Sequence, residues 1–178
     1  MAHKLARMFR HLWLDEADTR RAIPRDMVER LTRRVAASEK RHTGEIRIYV
    51  EAGLPLSYLW RDATVRERAV AMFGKLRVWD TEQNNGVLIY LLMADHAIEI
   101  VADRALHRAV PAASWQAVLE GMQQDFRRDA YAQGMETALL RVSDLLAAHF
   151  PADAAHHTGH DASLPDTPVV QGRFFKDL

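Results

Sequence analysis

The chain has 178 residues, of which 48% are apolar and 27% are charged, and its formal net charge is zero. This size and composition are typical of one globular domain. Because the chain has no cysteine, disulfides, thiolate metal sites and cysteine nucleophiles are excluded. The apolar run 86–93 has eight residues, well short of the roughly 20 that a membrane span needs. The first 21 residues lack the apolar segment of a signal peptide, so we expect a cytoplasmic protein without a transmembrane segment.

Charge is unevenly distributed along the chain. Residues 1–43 carry 11 Lys and Arg against 6 Asp and Glu, whereas residues 44–178 carry 13 against 18. Such an asymmetry is typical of a basic arm that meets an acidic protein or a membrane. It is equally typical of a basic face that packs beside the acidic body of its own domain.

The N-terminal segment 3–13 predicts a short amphipathic helix, with apolar and basic residues at helical spacing. Two interpretations stay open. The basic helix could dock on a membrane surface or on a partner protein, which would make the protein an adaptor. Alternatively, Phe9 and Trp13 could pack onto the domain itself.

Periodicity then predicts a helix that begins at Pro24 and ends near Gly44. In the strand 46–51, Ile46, Ile48 and Val50 alternate with polar residues, which is typical of a half-buried strand. A helix over 62–77 is predicted, with Asp62 as its N-cap. The apolar run 86–93 predicts a strand covered on both sides.

After a tight reversal, residues 97–103 alternate again and predict a strand antiparallel to the run 86–93. Two helices follow, capped by Ser114 and Asp129. From Pro151 the periodicity is lost, and we expect a C-terminal tail. The predicted domain therefore covers residues 24–150, between an N-terminal segment (1–23) and the tail (151–178).

The order of these elements indicates an α/β fold, a three-layer α/β/α sandwich around a central mixed sheet. The strands 46–51 and 86–93 and the helix between them form a crossover unit, which should be parallel and right-handed. The last two strands should form an antiparallel hairpin.

The loop before the second strand, "WDTEQNNG", is rich in side-chain oxygen. It carries Asp80, Thr81, Glu82, Asn84 and Asn85 within six residues. An EF-hand would need a glycine where Asn85 stands and a closing glutamate where Leu91 stands, so the loop alone is not a calcium site. If the second and third strands are antiparallel, Asp103 comes to the same end of the sheet and can complete the site.

The simpler interpretation of this loop is a helix-to-strand turn, in which Asn85 and Gly86 supply positive φ angles. Asp103 and Arg104 could likewise be a structural ion pair. From the residues alone, both the cation site and the plain turn stay open.

The segment "NNGVLIYLLMADHAIEIVADRAL" (84–106) resembles the core of the TPM domain family, named for thylakoid-lumen, photosystem-repair and acetylcholine-receptor-modulator proteins. The similarity extends from "TGEIRIYV" through "RVWD" to "YAQGMETALLRVSDLL", over about residues 24–148. The resemblance implies an α/β/α sandwich, and a cluster of acidic and amide residues that binds a divalent cation, calcium above all. It also implies weak acid phosphatase activity for some members.

Most members of this family look exported, with a signal peptide and often a membrane helix. We expect neither in this chain, which therefore resembles a cytoplasmic, stand-alone branch. It lacks the "GxG" usual after the third strand and carries Ala102-Asp103-Arg104-Ala105 there. The predicted ligands of calcium or magnesium are Asp80, Asn84, Asn85 and Asp103.

We therefore expect a binding or regulatory module of the TPM type, with a metal-dependent phosphatase as the alternative. In the phosphatase, Arg104 and Trp79 would be phosphate or pocket contacts, but no nucleophile motif is present. The histidines of "HHTGH" (156–160) could bind zinc, although a flexible tail is a poor site. No phosphate-cradling loop or basic stripe with aromatics indicates nucleotide or nucleic-acid binding.

Overall fold

The computed structural model describes residues 2–14, 16–126, 128, 130–152 and 164–171. The predicted cap Asp129 and the histidines of segment 156–160 lie outside the described residues. The helices are α1 (Ala2–Trp13), α2 (Glu16–Ala22), α3 (Arg25–Glu39), α4 (Leu56–Trp60), α5 (Val65–Lys75), α6 (Arg104–Ala109), α7 (Ala112–Phe126) and α8 (Tyr131–His149). The strands are β1 (Ile46–Glu51), β2 (Val87–Leu92), β3 (Ala97–Ala102) and β4 (Val169–Gln171).

The strands form one mixed sheet in the order β3-β2-β1-β4. β1 and β2 are parallel, with Ile46 opposite Val87, and α5 lies in the crossover between them. β2 and β3 are antiparallel, with Val87 opposite Ala102, and a 3₁₀ turn at Met93–Asp95 joins them. The predicted mixed sheet, with a parallel crossover unit and an antiparallel hairpin, is therefore confirmed.

Helices cover both faces of the sheet, so the predicted three-layer sandwich is also confirmed. On one face, Ile48 and Ile89 belong to a core that includes Leu31 of α3 and Leu139 of α8. On the other face, the apolar residues pack against α4 and α5. This second core contains Tyr49, Leu54, Leu59, Ala69, Met72, Val78, Leu88, Tyr90, Leu92, Val101 and Leu164.

The prediction of a half-buried β1 is wrong, because all six of its residues are buried. On its second face, Glu51 is paired with a side chain of α5. Glu51 accepts hydrogen bonds from Arg68 Nε (2.9 Å) and Arg68 Nη2 (2.6 Å) and from the Tyr90 hydroxyl (2.7 Å). Alternation therefore located the strand correctly, but it did not reveal that a buried ion pair lets the polar face pack inside.

Helix boundaries differ from the predictions where a better cap lies nearby. α5 begins at Val65, and Thr64 caps it in a capping box with Glu67. Asp62 is not the cap, because it lies in the preceding turn with φ 55°. Ser114 is inside the first turn of α7 rather than before it.

The segment 164–171 adds a fourth strand that the loss of periodicity after Pro151 did not indicate. β4 runs parallel to β1, with Tyr49 opposite Val169. Arg47 Nη1 donates to the carbonyls of Pro165 and Thr167 and so fastens the approach to β4. None of the described helices is long and apolar enough to cross a bilayer.

Candidate functional site

The loop before β2 and the start of α6 meet at one end of the sheet. Asp103 N donates to Gly86 O (2.9 Å), and Ala105 N donates to Asn84 O (3.1 Å). Arg104 Nε also donates to Asn84 Oδ1 (3.1 Å). The antiparallel pairing of β2 and β3 thus brings Asp103 to the loop, as the sequence predicted.

The loop has its shape for two separate backbone reasons. Asn84, with φ 52°, adopts the left-handed conformation that asparagine tolerates. Gly86 is required for close approach, because a Cβ there would lie 2.0 Å from Val78 O. The prediction that Asn85 and Gly86 supply positive φ is wrong, since neither residue has a positive φ.

Asn85 is buried, and of its two side-chain polar atoms only Nδ2 is hydrogen-bonded. Its Nδ2 donates to Thr43 Oγ1 (3.1 Å), and Thr43 Oγ1 donates in turn to Gln83 Oε1 (2.8 Å). The Thr43 hydroxyl thus accepts from Asn85 and donates to Gln83. Asn85 Oδ1 is consequently buried without a hydrogen-bond partner.

Asp103 is the N-cap of α6 and is also buried. Its Oδ1 accepts a hydrogen bond from Arg104 N (2.7 Å). Its Oδ2 is buried and has no hydrogen-bond partner. One oxygen of this carboxylate therefore serves the helix, and the other is available for a ligand.

The other predicted site residues are more exposed. Asp80 forms an ion pair with Arg77 (2.5 Å) at the surface, and Glu82 is exposed. Trp79 is partly exposed, and the Arg104 side chain donates a hydrogen bond to Asn84. The structure therefore brings Asn84 and Asp103 together and leaves Asp80 paired with Arg77.

The donor set can be compared with what a cation requires. Across the described ranges, no group of three or more His, Asp and Glu side chains is placed to hold a metal ion. A cation at this end of the sheet would need amide and carbonyl oxygens in addition to Asp103. Such mixed oxygen sets suit calcium, which takes carboxylate, amide, carbonyl and water ligands.

The TPM domain family model matches residues 17–145, which is more than two thirds of the chain. The chain belongs to the TPM domain family. No curated protein matches this TPM domain.

Two solved NMR structures have a similar fold. The BA42 protein from the psychrophilic bacterium Bizionia argentinensis is 24% identical with a TM-score of 0.70, over 81% of this chain and 92% of that one. The N-terminal domain of a P. gingivalis protein is 18% identical with a TM-score of 0.58, over 71% of this chain and 77% of that one. At these identities the likeness shows the fold alone.

A second polar cluster of this TPM domain, which we call the Asp95 cluster, joins α1 to the body. Asp95 accepts hydrogen bonds from Arg7 Nη2 (3.1 Å), from Arg10 and from His11 Nε2 (3.1 Å). Leu54 N donates to His11 Nδ1 (3.0 Å), so Nε2 carries the proton that points to Asp95. Burial acts to raise the pKa of Asp95, but the hydrogen bond from His11 and the charge of Arg7 hold this pKa well below its ordinary value.

The Asp95 cluster was not predicted from the sequence, and it excludes one of the two interpretations of α1. Arg7, Arg10 and His11 of α1 contact the domain itself. In contrast, Phe9 is 67% exposed and Trp13 is 85% exposed. The interpretation that Phe9 and Trp13 pack onto the domain is therefore wrong. No local signal could have shown this, because Asp95 lies more than 80 residues from its partners.

A third cluster connects the end of α3 with the C-terminal segment. Glu39 Oε1 accepts a hydrogen bond from Ile46 N, and Glu39 also bonds to Asp166. Burial, followed by the charge of Asp166, raises the pKa of Glu39 to about 8. The raised pKa favours the protonated Glu39 carboxyl, whose hydrogen bond to Asp166 helps to hold the segment 164–171 in place.

Cavities occur elsewhere on this TPM domain. One of about 160 Å³ lies between α3 and α8, and another of about 390 Å³ lies between α7 and α8. Both are on the helical layer that contains α3 and α8, and neither is lined by the loop 79–86 or by Asp103. A ligand at the loop would therefore not occupy either of these two cavities.

Proposed function

We propose that this TPM domain is a binding module for a divalent cation, calcium before magnesium, at the end of the sheet where β2 begins. Asp103 Oδ2 and Asn85 Oδ1 are the side-chain ligands at its centre. The observation that carries the proposal is that both oxygens are buried without a hydrogen-bond partner. Leaving a buried acceptor unsatisfied costs about 1–3 kcal/mol, which a bound cation would offset.

The remaining predicted ligands can be recruited at low cost. Asp80 would exchange its surface ion pair with Arg77 for the cation, and exposed pairs of this kind contribute only about 0–1 kcal/mol. Asn84 would exchange its single side-chain bond from Arg104 in the same way. Calcium needs six to eight oxygens, so backbone carbonyls and water complete the set.

The ligand charge indicates a weak site. Asp103 and Asp80 are its only two predicted carboxylates, and one oxygen of Asp103 is already used as a helix cap. We expect a dissociation constant on the order of 0.1–1 mM, as in calcium modules with few charged ligands. Binding would fasten the loop before β2 to the start of α6, which suits a regulatory module.

A metal-dependent phosphatase would use the same cation to bind phosphate and activate water. The chain offers no cysteine and no Asp-x-Asp motif after a strand as a nucleophile, and Arg104 is already bound to Asn84. Cation binding without catalysis is thus the function that the geometry supports best.

The proposal is tested by titrating the ¹⁵N-labelled chain with calcium chloride, and separately with magnesium chloride, to millimolar concentrations. We expect saturable amide shifts in residues 80–86 and 103–105. The variant Asp103→Asn should abolish them, because it replaces Oδ2 but keeps the Oδ1 that caps α6. Asp26→Asn, which changes an exposed carboxylate on α3, is the matched control and should leave the titration unchanged.

Two outcomes would contradict the proposal: the absence of shifts at this end of the sheet, or an unchanged titration of Asp103→Asn. The same preparations are assayed on a generic phosphomonoester. Turnover that requires the cation and is lost in Asp103→Asn would establish the phosphatase instead.

A further inference from the structure

Three kinds of contact hold the C-terminal segment 164–171 in a way that does not depend on pH. β4, which has only three residues, pairs with β1. Arg47 Nη1 donates to the carbonyls of Pro165 and Thr167. Leu164 is buried in the core on that side of the sheet. None of these contacts changes with pH in the physiological range, because arginine keeps its charge there.

A fourth contact of the segment requires a proton. Asp166 forms a side-chain hydrogen bond with Glu39, the last residue of α3. Two ionised carboxylates have only acceptor oxygens, so a hydrogen bond between them requires that one of them carries a proton. We call Glu39 and Asp166 the carboxyl pair. The C-terminal segment is therefore joined to α3 through one proton.

The surroundings of the carboxyl pair favour this proton. Both side chains are only partly exposed, and Asp166 Oδ1 is buried without a hydrogen-bond partner. Burial is the largest cause that raises the pKa of Glu39 from 4.5 to about 8, and the charges of Asp166 and Glu45 add to it. The hydrogen bond from Ile46 N acts in the opposite direction but does not outweigh them.

The neighbouring cations do not take the place of the proton. Arg47 attracts Asp166 electrostatically, but its Nη1 donates to two backbone carbonyls of the segment. Other charged or titratable side chains are described on the elements that pack against α3 and β4, namely Asp18, Arg20, Arg21, His42, Glu136 and Asp144. The three carboxylates of this set form ion pairs with arginines.

We propose that the carboxyl pair is a proton-dependent switch that keeps β4 paired with β1 and releases the segment 164–171 when the proton is lost. Two ionised carboxylates at hydrogen-bond distance repel each other, and the buried Asp166 Oδ1 reaches water only when the segment leaves. Release frees the edge of β1 that pairs with β4. The proposal is independent of the cation site, because neither member of the carboxyl pair is one of its ligands.

The direction of the pH dependence follows from the pKa of Glu39. This pKa is about 8 while the segment is docked, and it returns towards 4.5 when the segment is released and water enters. Docking is therefore fully supported below about pH 4.5 and weakens as the pH rises to about 8. For one proton, the ratio of released to docked chains rises by up to about tenfold per pH unit over this range.

Methyl NMR of the full chain tests the proposal, because methyl groups, unlike amides, do not exchange with water at high pH. The leucine and valine methyl groups are labelled with ¹³C, and spectra are recorded from about pH 5 to about pH 9. We expect the signals of Leu164, Val169 and Val170 to move towards those of a disordered chain as the pH rises. The signals of Leu139, in the core between α3 and α8, should not change and show that the domain stays folded.

Three conservative variants assign the response to the carboxyl pair. Glu39→Gln cannot ionise but keeps a donor and an acceptor, so its segment should stay docked over the whole pH range. Asp166→Asn should weaken the response, because an amide can donate to the ionised Glu39. Glu29→Gln, at an exposed carboxylate on the same helix, is the matched control and should respond like the unchanged chain.

Three results would overturn the proposal. The first is that the methyl signals of Leu164 and Val169 do not change with pH in the unchanged chain. The second is a pH response that persists in Glu39→Gln, which would place the titrating group elsewhere. The third is a response that is lost in Glu29→Gln to the same extent as in Glu39→Gln.

Discussion

Asp95 precedes β3 and Asp103 follows it, so the same strand has a buried or half-buried carboxylate near each end. Asp95 accepts hydrogen bonds from two arginines and a histidine of α1. Asp103 uses one oxygen to cap α6 and leaves the other buried without a partner. Residue type and burial therefore do not separate a structural carboxylate from a candidate ligand, whereas the hydrogen bonds of each oxygen do.

Of the changes that compare Asp95 with Asp103, removal of the Asp95 carboxylate should cause the largest loss of stability. Asp95→Ala leaves the guanidinium of Arg7 and the ring of His11 without their acceptor, and we expect the free energy of unfolding to fall by about 3 kcal/mol. Urea denaturation measures the change. Asp62→Asn is the control, because it removes the charge of an exposed partner of the same Arg7, keeps a residue that tolerates the φ of 55° at this position, and should cost less than about 1 kcal/mol. Equal losses in the two variants would contradict a structural role for Asp95.

Substitution of His11 should cause the next largest loss of stability, because His11 links Asp95 to the backbone. His11→Ala deprives Leu54 N of its acceptor and Asp95 of one donor, so we expect a loss of about 2 kcal/mol. A double-mutant cycle with Asp95→Ala should give a coupling energy of about 1 kcal/mol. A cycle of His11→Ala with Asp103→Ala should be additive, and coupling there would show that the two ends of β3 are not independent.

The pH dependence of stability should also identify Asp95 as a structural carboxylate. Because the folded pKa of Asp95 lies below its ordinary value of 3.8, its charge stabilises the fold above that pH. This contribution is lost as the pH falls from about 3.8 towards the depressed pKa, with a slope of up to about 1.4 kcal/mol per pH unit. We expect the stability gap between the unchanged chain and Asp95→Asn to close over this range. A gap that is constant with pH would contradict the depressed pKa.

Changes at Asp103 should have the smallest effect on stability. Asp103→Ala removes the cap of α6 and should cost about 1 kcal/mol. Asp103→Asn keeps the capping oxygen and should change the free energy of unfolding by less than about 0.5 kcal/mol. Thermal denaturation of both variants without added cations is the measurement. A loss from Asp103→Asn as large as that from Asp95→Ala would show that Asp103 Oδ2 has a structural partner.

Much of the fold could be predicted because it follows from local periodicity. The alternation around Ile48, the apolar run of β2 and the helical pattern of α8 each identify their element without reference to distant residues. Thr64 and Glu67 have the spacing of a capping box, but Asp62 was predicted as the cap of α5 in place of Thr64. β4 could not be predicted, because its three residues are too few for a pattern and it is stabilised by pairing with β1.

The candidate site could be predicted only to the extent that strand pairing determines which residues lie close together. Antiparallel pairing is sufficient to place Asp103 beside the loop, and the structure has it there. The free oxygen of Asn85 could not be foreseen, because it depends on the hydroxyl of Thr43, which is distant in the chain. The orientation of α1 escaped prediction for the same reason: amphipathicity identifies two faces, but Asp95 decides which of them turns inward.

The position of β4 has a consequence for how the protein is made. Among the residues that the structure describes, β1 pairs on one edge with β2 and on the other with residues 169–171. At roughly 5–20 residues per second, a ribosome needs about ten seconds to travel from Glu51 to Gln171. During that time the edge of β1 that pairs with β4 lacks its partner, and an unpaired strand edge is a template for pairing with other chains. The pairing of β4 with β1 closes this edge only once residues 169–171 have been translated.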